Sequence, residues 1–268
     1  TNVFHLPTLS LKMAYEGNPD FRPLGCKQCL ESNPLDFDIT MAFQPIVDLE
    51  TKSVFAYEAL VRGKDGAGAG AVLSRVTNDN RYAFDQTCRV RAVQLASELG
   101  LKCKLSINFL PNAVYRPETC IRATMEAAET YNLPLDQIMF EVTEAEPIED
   151  PAHLMGIFEA YRERGFITAI DDFGAGYAGL NLLTKFKPQI LKLDMELCQG
   201  IAGDIVKRTI TEGAIKTAQA LGIKVIAEGV ETKEDMVALR TLGTDYFQGY
   251  LFGKPVIETL PEPDFSAV

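Results

Sequence analysis

Short runs of apolar and β-branched residues alternate with amphipathic segments from about residue 37 onwards. Apolar runs bounded by turn residues predict buried strands, and apolar positions at helical spacing predict helices. The predicted strands are 40–47, 54–61, 104–109, 138–143, 166–171, 190–194, 224–229 and 246–251. The predicted helices are 81–99, 123–131, 150–165, 204–221 and 233–242, several of which end before a glycine.

Strands that alternate with helices predict an α/β fold with a parallel sheet. Eight strands in 268 residues suit a single barrel of the TIM type, which typically takes about 250 residues. The gap from Asp48 to Ser53 is too short for a helix, so we expect the first strand to run antiparallel to the second. The prediction is therefore a modified (βα)₈ TIM-type barrel with an antiparallel first strand.

The first 36 residues differ from the rest of the chain because prolines and glycines interrupt any long element. We interpret residues 1–36 as an N-terminal extension or linker and residues 37–268 as the barrel domain. The Gly/Ala stretch at 65–71 is interpreted as a flexible loop rather than as a phosphate cradle.

The balance of charges restricts the possible partners. The chain carries 26 Lys and Arg against 37 Asp and Glu, a net charge of −11. Such an acidic protein is poorly suited to binding duplex nucleic acid through a basic face. No stretch approaches the roughly 18–20 apolar residues of a membrane span, so no span is predicted.

Most of the six cysteines lie in apolar surroundings, which favours a reduced, cytoplasmic setting. The pair Cys26 and Cys29 is the exception, because its spacing is compatible with half of a zinc site or with a redox pair. No second pair of this spacing exists, so an incidental pair in a loop is the favoured interpretation.

Polar side chains stand at or near the exits of successive predicted strands. In a parallel barrel these exits converge on one face, where active sites are built. Carboxylate and amide oxygens without histidine or cysteine favour Mg²⁺ or Mn²⁺ over zinc or copper. Unrelated surface acids would not recur inside apolar runs in this way. The strand-exit residues are Glu58, Arg62, Asn108, Glu141, Glu144, Asp171, Asp172, Lys192, Glu228, Glu231 and Gln248.

Asp171 and Asp172 are the most informative of these residues, because two adjacent carboxylates at a buried strand exit repel each other and are costly to desolvate. Hard divalent cations, which prefer oxygen ligands, would neutralise them. The following segment 174–179 matches G-x-G-x-x-G, a dinucleotide-binding pattern. Carboxylates directly before the first glycine disfavour that alternative, since a pyrophosphate would approach there.

Short blocks of sequence follow one another in a fixed order across residues 38–258. They are Phe43-Gln44-Pro45-Ile46, Tyr57-Glu58-Ala59-Leu60-Val61-Arg62, Ser106-Ile107-Asn108, Phe140-Glu141-Val142-Thr143-Glu144, Asp171-Asp172-Phe173-Gly174, Leu191-Lys192-Leu193-Asp194, Ala227-Glu228-Gly229-Val230-Glu231-Thr232 and Gln248-Gly249-Tyr250. In residues and in order, these blocks resemble the EAL family of cyclic-di-GMP phosphodiesterases. The chain departs from the family pattern in having Gly63 where tryptophan is common after the Arg of the first motif, and in its altered loop after Asp172.

The resemblance implies hydrolysis of cyclic-di-GMP to linear 5′-pGpG with two Mg²⁺ or Mn²⁺ ions that activate water. It implies metal ligation by Glu58, Asn108, Glu141, Asp171, Asp172 and Glu228, with Asp171 as the bridge. Catalytic roles fall to Lys192, Glu228 and Asp171, and substrate contacts to Gln44, Arg62, Glu231 and Gln248.

Glu144 resembles the family residue that anchors the loop after Asp172, a role linked to dimerisation. The resemblance therefore implies a homodimer, and its similarity to EAL domains of light-responsive and other sensor proteins makes a sensory partner plausible. Two alternatives stay open: a cyclic-di-GMP receptor without catalysis, and a barrel hydrolase of another phosphodiester.

Overall fold

The computed structural model describes residues 35–114, 116–143, 151–175, 183–185 and 187–268. Eight strands form a closed barrel, and a short ninth strand is hydrogen-bonded to the first strand. This confirms the predicted barrel. The strands are β1 (Ile39–Asp48), β2 (Ser53–Gly63), β3 (Lys104–Asn108), β4 (Ile138–Thr143), β5 (Ile167–Phe173), β6 (Ile190–Leu193), β7 (Lys224–Ala227), β8 (Tyr246–Gln248) and β9 (Val256–Ile257).

The first strand runs against the rest of the barrel. β1 is antiparallel to β2 along its whole length, and antiparallel to β8 where Ile46 pairs with Gln248. The strands β2 to β8 are parallel to one another. A turn at residues 49–52 joins β1 to β2, as the short gap predicted. The antiparallel first strand is therefore confirmed.

Helices cover the outside of the barrel in most of the connections between successive strands. The predicted long helices are present within one or two residues of their expected ends. The Gly/Ala stretch differs from the prediction, because residues 69–73 form a short helix; alanine favours a helix where glycine alone would not. The helices are α1 (Ala69–Leu73), α2 (Arg81–Glu98), α3 (Pro117–Cys120), α4 (Arg122–Thr130), α5 (Pro151–Glu163), α6 (Met195–Cys198), α7 (Ile205–Ala220) and α8 (Lys233–Leu242).

Several strands stop earlier than their apolar runs suggest. β7 ends at Ala227 and β8 at Gln248, although residues up to 229 and 251 were predicted to be extended. In both places the chain leaves the ladder to form a loop at the barrel mouth, and Val230 N–H donates to Gln248 O at 3.1 Å. These loops position the polar residues that follow the strands.

Side chains alternate between the barrel interior and the helix layer because successive residues of a strand point to opposite faces. The interior contains an apolar layer whose members are at most 2% exposed. A larger apolar cluster fills the space between barrel and helices. The interior layer consists of Ile46, Ala56, Met139, Ala169, Ile190 and Ile226.

The C-terminal segment lies over the antiparallel part of the barrel. Val256 pairs with Phe43 of β1, and Glu258 N–H donates to Met41 O at 2.9 Å. The Tyr57 hydroxyl on β2 donates to Pro261 O at 2.8 Å. The segment thus covers the part of the barrel where β1 and β2 are joined by a turn instead of a helix.

Some predicted features lie outside the described residues: residues 1–34 of the N-terminal extension, which include the Cys26–Cys29 pair, and Glu144. The domain boundaries stay a prediction. Cys88, Cys103 and Cys198 are free thiols. In the described part of the chain, no helix combines the length and apolar character needed to cross a membrane.

Candidate active site

A polar layer lies directly above the apolar interior layer of the barrel. Side chains two residues apart on a strand point to the same face. In the parallel strands, Glu58 therefore follows Ala56 on the inner face, and Glu141 follows Met139. β1 runs the other way, and Gln44 therefore precedes Ile46. The polar layer consists of Gln44, Glu58, Asn108, Glu141, Asp171, Lys192, Glu228 and Gln248.

Glu58 is held by two side-chain amides. Gln248 Nε2 donates to Glu58 Oε2 at 2.6 Å, and Asn108 Nδ2 donates to Glu58 Oε1 at 2.7 Å. The Glu58 side chain is only 6% exposed. Hydrogen bonds to an ionised carboxylate are stronger than neutral ones, so both amides fix the orientation of this carboxylate.

Gln44 extends this arrangement to the C-terminal segment. Gln248 Nε2 also lies 3.2 Å from Gln44 Oε1, and Gln44 Nε2 donates to Gly253 O at 3.1 Å. Both glutamines are buried. We predicted that they contact substrate; what the structure shows is that they link Glu58 to the loop after β8.

The backbone turns at the acidic pair. Asp172 has a φ of 53°, in the left-handed region that non-glycine residues seldom adopt. The pairing of β5 with β6 is irregular between Ile170 and Phe173. Adjacent strand residues would normally face opposite sides, yet one oxygen from each of Asp171, Asp172 and Glu228 lies within 4.8 Å of the others. The turn therefore brings both carboxylates to one site.

Asp171 belongs to two carboxylate groups. Besides its group with Asp172 and Glu228, one of its oxygens lies within 4.8 Å of oxygens from Glu58 and Glu141. Asn108 joins this second group through its hydrogen bond to Glu58. The two oxygen clusters are adjacent and share one side chain.

Lys192 lies among the carboxylates of both groups. Its Nζ is 2.8 Å from Glu228 Oε1, 2.9 Å from Glu141 Oε2, 3.0 Å from Asp171 Oδ1 and 3.5 Å from Glu58 Oε2. Burial lowers the pKa of Lys192, but the carboxylates together outweigh burial and raise it well above the usual value. Lys192 is therefore protonated, as its acidic surroundings predicted.

One ammonium group does not balance so many carboxylates. Burial raises the pKa of Glu141 to about 8 despite Lys192, and Glu58 and Asp171 add to the effect. Burial, followed by repulsion from Asp171, raises the pKa of Asp172 to about 6. Burial and Asp171 likewise raise the pKa of Glu228 well above its usual value. The site has an excess of negative charge that additional cations would relieve.

The donor set fits hard divalent cations. All candidate ligands offer oxygen, which Mg²⁺ and Mn²⁺ prefer. The buried atoms Glu141 Oε1 and Gln248 Oε1 accept no hydrogen bond within the described structure, whereas Asp171 Oδ1 has the Lys192 ammonium group 3.0 Å away. Buried oxygens without donors are costly, and Glu141 Oε1 belongs to a carboxylate group of the site, where a cation would satisfy it.

The remaining predicted site residues have different environments. Arg62 follows Glu58 by four residues on the same face of β2, is half-buried, and donates from Nη1 to Val61 O at 2.7 Å. Glu231 is exposed in the loop after β7. Both residues stay candidates for substrate contact.

Sequence reasoning assigned no role to Asp194, which follows β6. Its Oδ1 accepts from Glu196 N–H at 2.7 Å at the start of α6, and its charge contributes to the raised pKa of Asp172. Sequence reasoning also gave Gly174 no role beyond its place in the G-x-G-x-x-G match. Its φ is +105°, and a Cβ there would lie 2.4 Å from Leu197 Cδ1, so α6 packs directly against the loop after Asp172.

Among curated proteins, the chain is 31% identical over 221 residues to the blue light- and temperature-regulated antirepressor BluF of Escherichia coli, covering 82% of this chain and 55% of BluF. It is 28% identical over 225 residues to the cyclic di-GMP phosphodiesterase PA2567 of Pseudomonas aeruginosa, covering 81% of this chain and 38% of that protein. The chain thus spans about half or less of the length of these relatives.

Solved structures show the same fold. A standalone versatile EAL protein from Vibrio cholerae, in its c-di-GMP-bound form, is 53% identical with a TM-score of 0.84, covering 87% of this chain and 98% of that one. Klebsiella pneumoniae BlrP1, as a manganese/cy-diGMP complex at pH 9.0, is 36% identical with a TM-score of 0.80, covering 84% and 58% respectively. The family model described as the EAL domain matches residues 31–255. The chain belongs to the EAL domain family, whose members named above include a cyclic di-GMP phosphodiesterase.

Proposed function

We propose that this chain hydrolyses cyclic-di-GMP to linear 5′-pGpG with the help of two divalent cations, Mg²⁺ or Mn²⁺. The observation that carries the proposal is the position of Asp171, which lies in both carboxylate groups of the site. Two adjacent oxygen clusters that share a ligand suit a pair of ions. Relatives named as phosphodiesterases, and a BlrP1 complex containing manganese and cy-diGMP, support the same chemistry.

The residues present would divide between the two ions. Glu58, Asn108, Glu141 and Asp171 would hold one, and Asp171, Asp172 and Glu228 the other. When bound, such a pair lowers the pKa of water and stabilises negative charge on the attacking and leaving oxygens. In the reaction, a water oxygen forms a bond to phosphorus, the bond from phosphorus to the ribose 3′-oxygen breaks, and a proton released by the water is taken up by the leaving 3′-oxygen.

The protein's own cations complete the site. The Lys192 ammonium group, fixed by its carboxylate neighbours, can donate to a phosphoryl oxygen or orient the attacking water. Arg62 offers a planar fork of donors that matches a phosphate group. Gln44, Gln248 and Glu231 would contact the substrate at the barrel mouth, and the two glutamines additionally orient Glu58.

The test incubates purified protein with cyclic-di-GMP and Mg²⁺ or Mn²⁺ and resolves the products by chromatography. We expect pGpG to accumulate with either metal, and we expect no pGpG to form when a chelator removes the metal. Absence of pGpG under both metals, with the protein folded, would overturn the proposal. Linear pGpG and other cyclic dinucleotides as substrates distinguish a hydrolase of another phosphodiester.

A receptor without catalysis is the second candidate. Every proposed metal ligand is present together with Lys192, and a receptor has little use for a full oxygen shell. Calorimetry of cyclic-di-GMP binding, together with the turnover assay, decides between the two candidates. Tight binding of cyclic-di-GMP without turnover in Mg²⁺ or Mn²⁺ identifies a receptor.

The assembly of the protein is a further part of the proposal. Three apolar side chains of α7 are largely exposed: Ile205 at 74%, Val206 at 63% and Ile210 at 56%. We propose that this face of α7 forms a contact between two copies of the chain in a homodimer. We also propose that a sensory partner outside the chain regulates the activity of the protein. Light scattering on the wild type and on Ile210→Lys tests the dimer, because a buried lysine would dissociate it.

A further inference from the structure

A buried ion pair lies outside the carboxylate site, between the barrel and its helices. Asp85 and Arg89 stand one turn apart on α2, and Arg89 Nη2 is 2.7 Å from Asp85 Oδ2. Asp85 is 2% exposed and Arg89 is fully buried. Neither residue follows a strand, so neither would touch the substrate.

The pair connects α2 to the end of β3 and to the helices that follow. Asp85 Oδ1 accepts from Leu110 N–H at 3.0 Å. Arg89 Nη1 lies 3.3 Å from both Cys120 O and Thr124 Oγ1. The arginine thus anchors the carboxylate from one side, and the carboxylate holds the backbone of Leu110 from the other.

Leu110 follows the proposed metal ligand Asn108 by two residues. Between them, Phe109 N–H donates to the backbone carbonyl of Glu141 at 3.1 Å. The chain leaving β3 is therefore held on one side by β4 and on the other by α2. Asn108 also donates to Glu58 Oε1 at 2.7 Å, so the position of this short segment sets the relative placement of two proposed ligands.

Stability alone gives a weak reason for a buried charge pair at this place. Desolvating two charges is expensive, and apolar residues of similar volume often serve stability equally well. The distinctive contribution of Asp85 is a fixed acceptor for the Leu110 N–H group. Without this acceptor the half-buried Leu110 N–H group would be left unsatisfied, which is unfavourable and would favour a shift of the segment that carries Asn108.

We propose that Asp85, held in place by Arg89, is a positioning residue that fixes Asn108 for the divalent cation site. The inference rests on the proposed function only for the identity of that site. Its test compares two double variants. D85L/R89M replaces the pair with apolar side chains, whereas D85N/R89M retains a side-chain carbonyl oxygen that can accept from Leu110.

The readouts are the Mn²⁺ dissociation constant from calorimetry and the side-chain amide resonance of Asn108 in nuclear magnetic resonance spectra. We expect D85L/R89M to bind Mn²⁺ about tenfold more weakly and to shift the Asn108 resonance, as loss of support around a ligand generally does. D85N/R89M should stay near wild type in both. Thr124→Val, which removes an Arg89 contact away from β3, is the matched control and should change neither.

A folded D85L/R89M with wild-type Mn²⁺ affinity and an unmoved Asn108 resonance would overturn the proposal. If that variant does not fold, Asp85→Glu decides, because it keeps the charge pair but displaces the acceptor by one methylene group. Unchanged readouts in Asp85→Glu would likewise contradict the inference. A wild type that binds no Mn²⁺ counts against the proposed function, while the Asn108 resonance still decides the role of Asp85.

Discussion

Gln248 Nε2 donates a 2.6 Å hydrogen bond to Glu58 Oε2 across 190 residues of sequence. The bond joins the last strand of the barrel to the second one inside the site. Glu58 is buried, so its orientation depends on a few donors, of which Gln248 is the closest. This relationship makes Gln248 a residue on which metal affinity depends, whether or not it also contacts substrate.

We therefore expect Gln248→Ala to weaken Mn²⁺ binding by about 10–100-fold, the usual range when support for a metal ligand is lost. Calorimetric titration measures the effect. Gln219→Ala is the control, since Gln219 is exposed and its amide donates only to Gly243 O among the bonds described. Equal Mn²⁺ affinities for Gln248→Ala and wild type would show that Glu58 does not need this donor.

Asp171→Asn should abolish turnover and reduce the number of bound Mn²⁺ ions, because Asp171 is the side chain common to both carboxylate groups. Product formation and metal content per chain are the measurements. Glu50→Gln, in the exposed turn between β1 and β2, serves as the control. Turnover at the wild-type rate in Asp171→Asn would refute the shared-ligand assignment.

Metal affinity should rise with pH between about 6 and 8. The pKa of Asp172 is about 6 and that of Glu141 about 8, both raised first of all by burial. A carboxyl group must lose its proton to bind a cation, so protons compete with Mn²⁺ below these values. Titrations at successive pH values test this, and an affinity independent of pH over that interval would contradict it.

The same groups give the opposite trend for folding in the presence of a chelator. The folded state holds protons on Asp172 and Glu141 at pH values where the unfolded chain has released them, so the free energy of unfolding falls as pH rises through this window. Urea denaturation at pH 5 and pH 8 measures the difference. Greater stability at pH 8 would mean that other groups dominate.

Gly174→Ala should lower both activity and melting temperature. The residue has a φ of +105°, and the added Cβ would lie 2.4 Å from Leu197 Cδ1, so the loop after Asp172 or α6 must move. Gly213→Ala is the contrasting variant. Gly213 lies in α7, and beyond that helix's own backbone no described atom comes within 4 Å of the place an added methyl group would take. Alanine there should stabilise by roughly 0.5–1 kcal/mol. Thermal melts and turnover rates separate the two effects.

The architecture was largely predictable because apolar runs and turn residues are local signals. The short link between Asp48 and Ser53 is enough to predict an antiparallel first strand, since a turn cannot return the chain to a parallel position. The exits of parallel strands converge on one face of a barrel, which predicts that Glu58, Glu141, Asp171 and Lys192 lie together, as the structure shows. Period-two alternation explains why they share the barrel interior.

Features that depend on contacts between distant segments could not be predicted. The left-handed backbone at Asp172 coincides with an irregular pairing of β5 with β6. The residue types in this segment do not predict that backbone conformation. The contact of Gln248 with Gln44 requires the closed barrel. Asp85 resembles any polar residue of an amphipathic helix until Leu110 is placed beside it. The helix at residues 69–73 was missed because glycines mask its alanine content.

The antiparallel first strand has a consequence for the order of folding. β1 completes the barrel only by pairing with β8, where Ile46 meets Gln248 near the opposite end of the chain. Contacts between residues so far apart form late, because a long loop must first be closed. The polar layer needs the same closure to bring Gln248 to Glu58. During synthesis on the ribosome, a chain that has not yet emerged to residue 248 therefore carries the carboxylates without their final alignment, and activity should appear only with the finished domain.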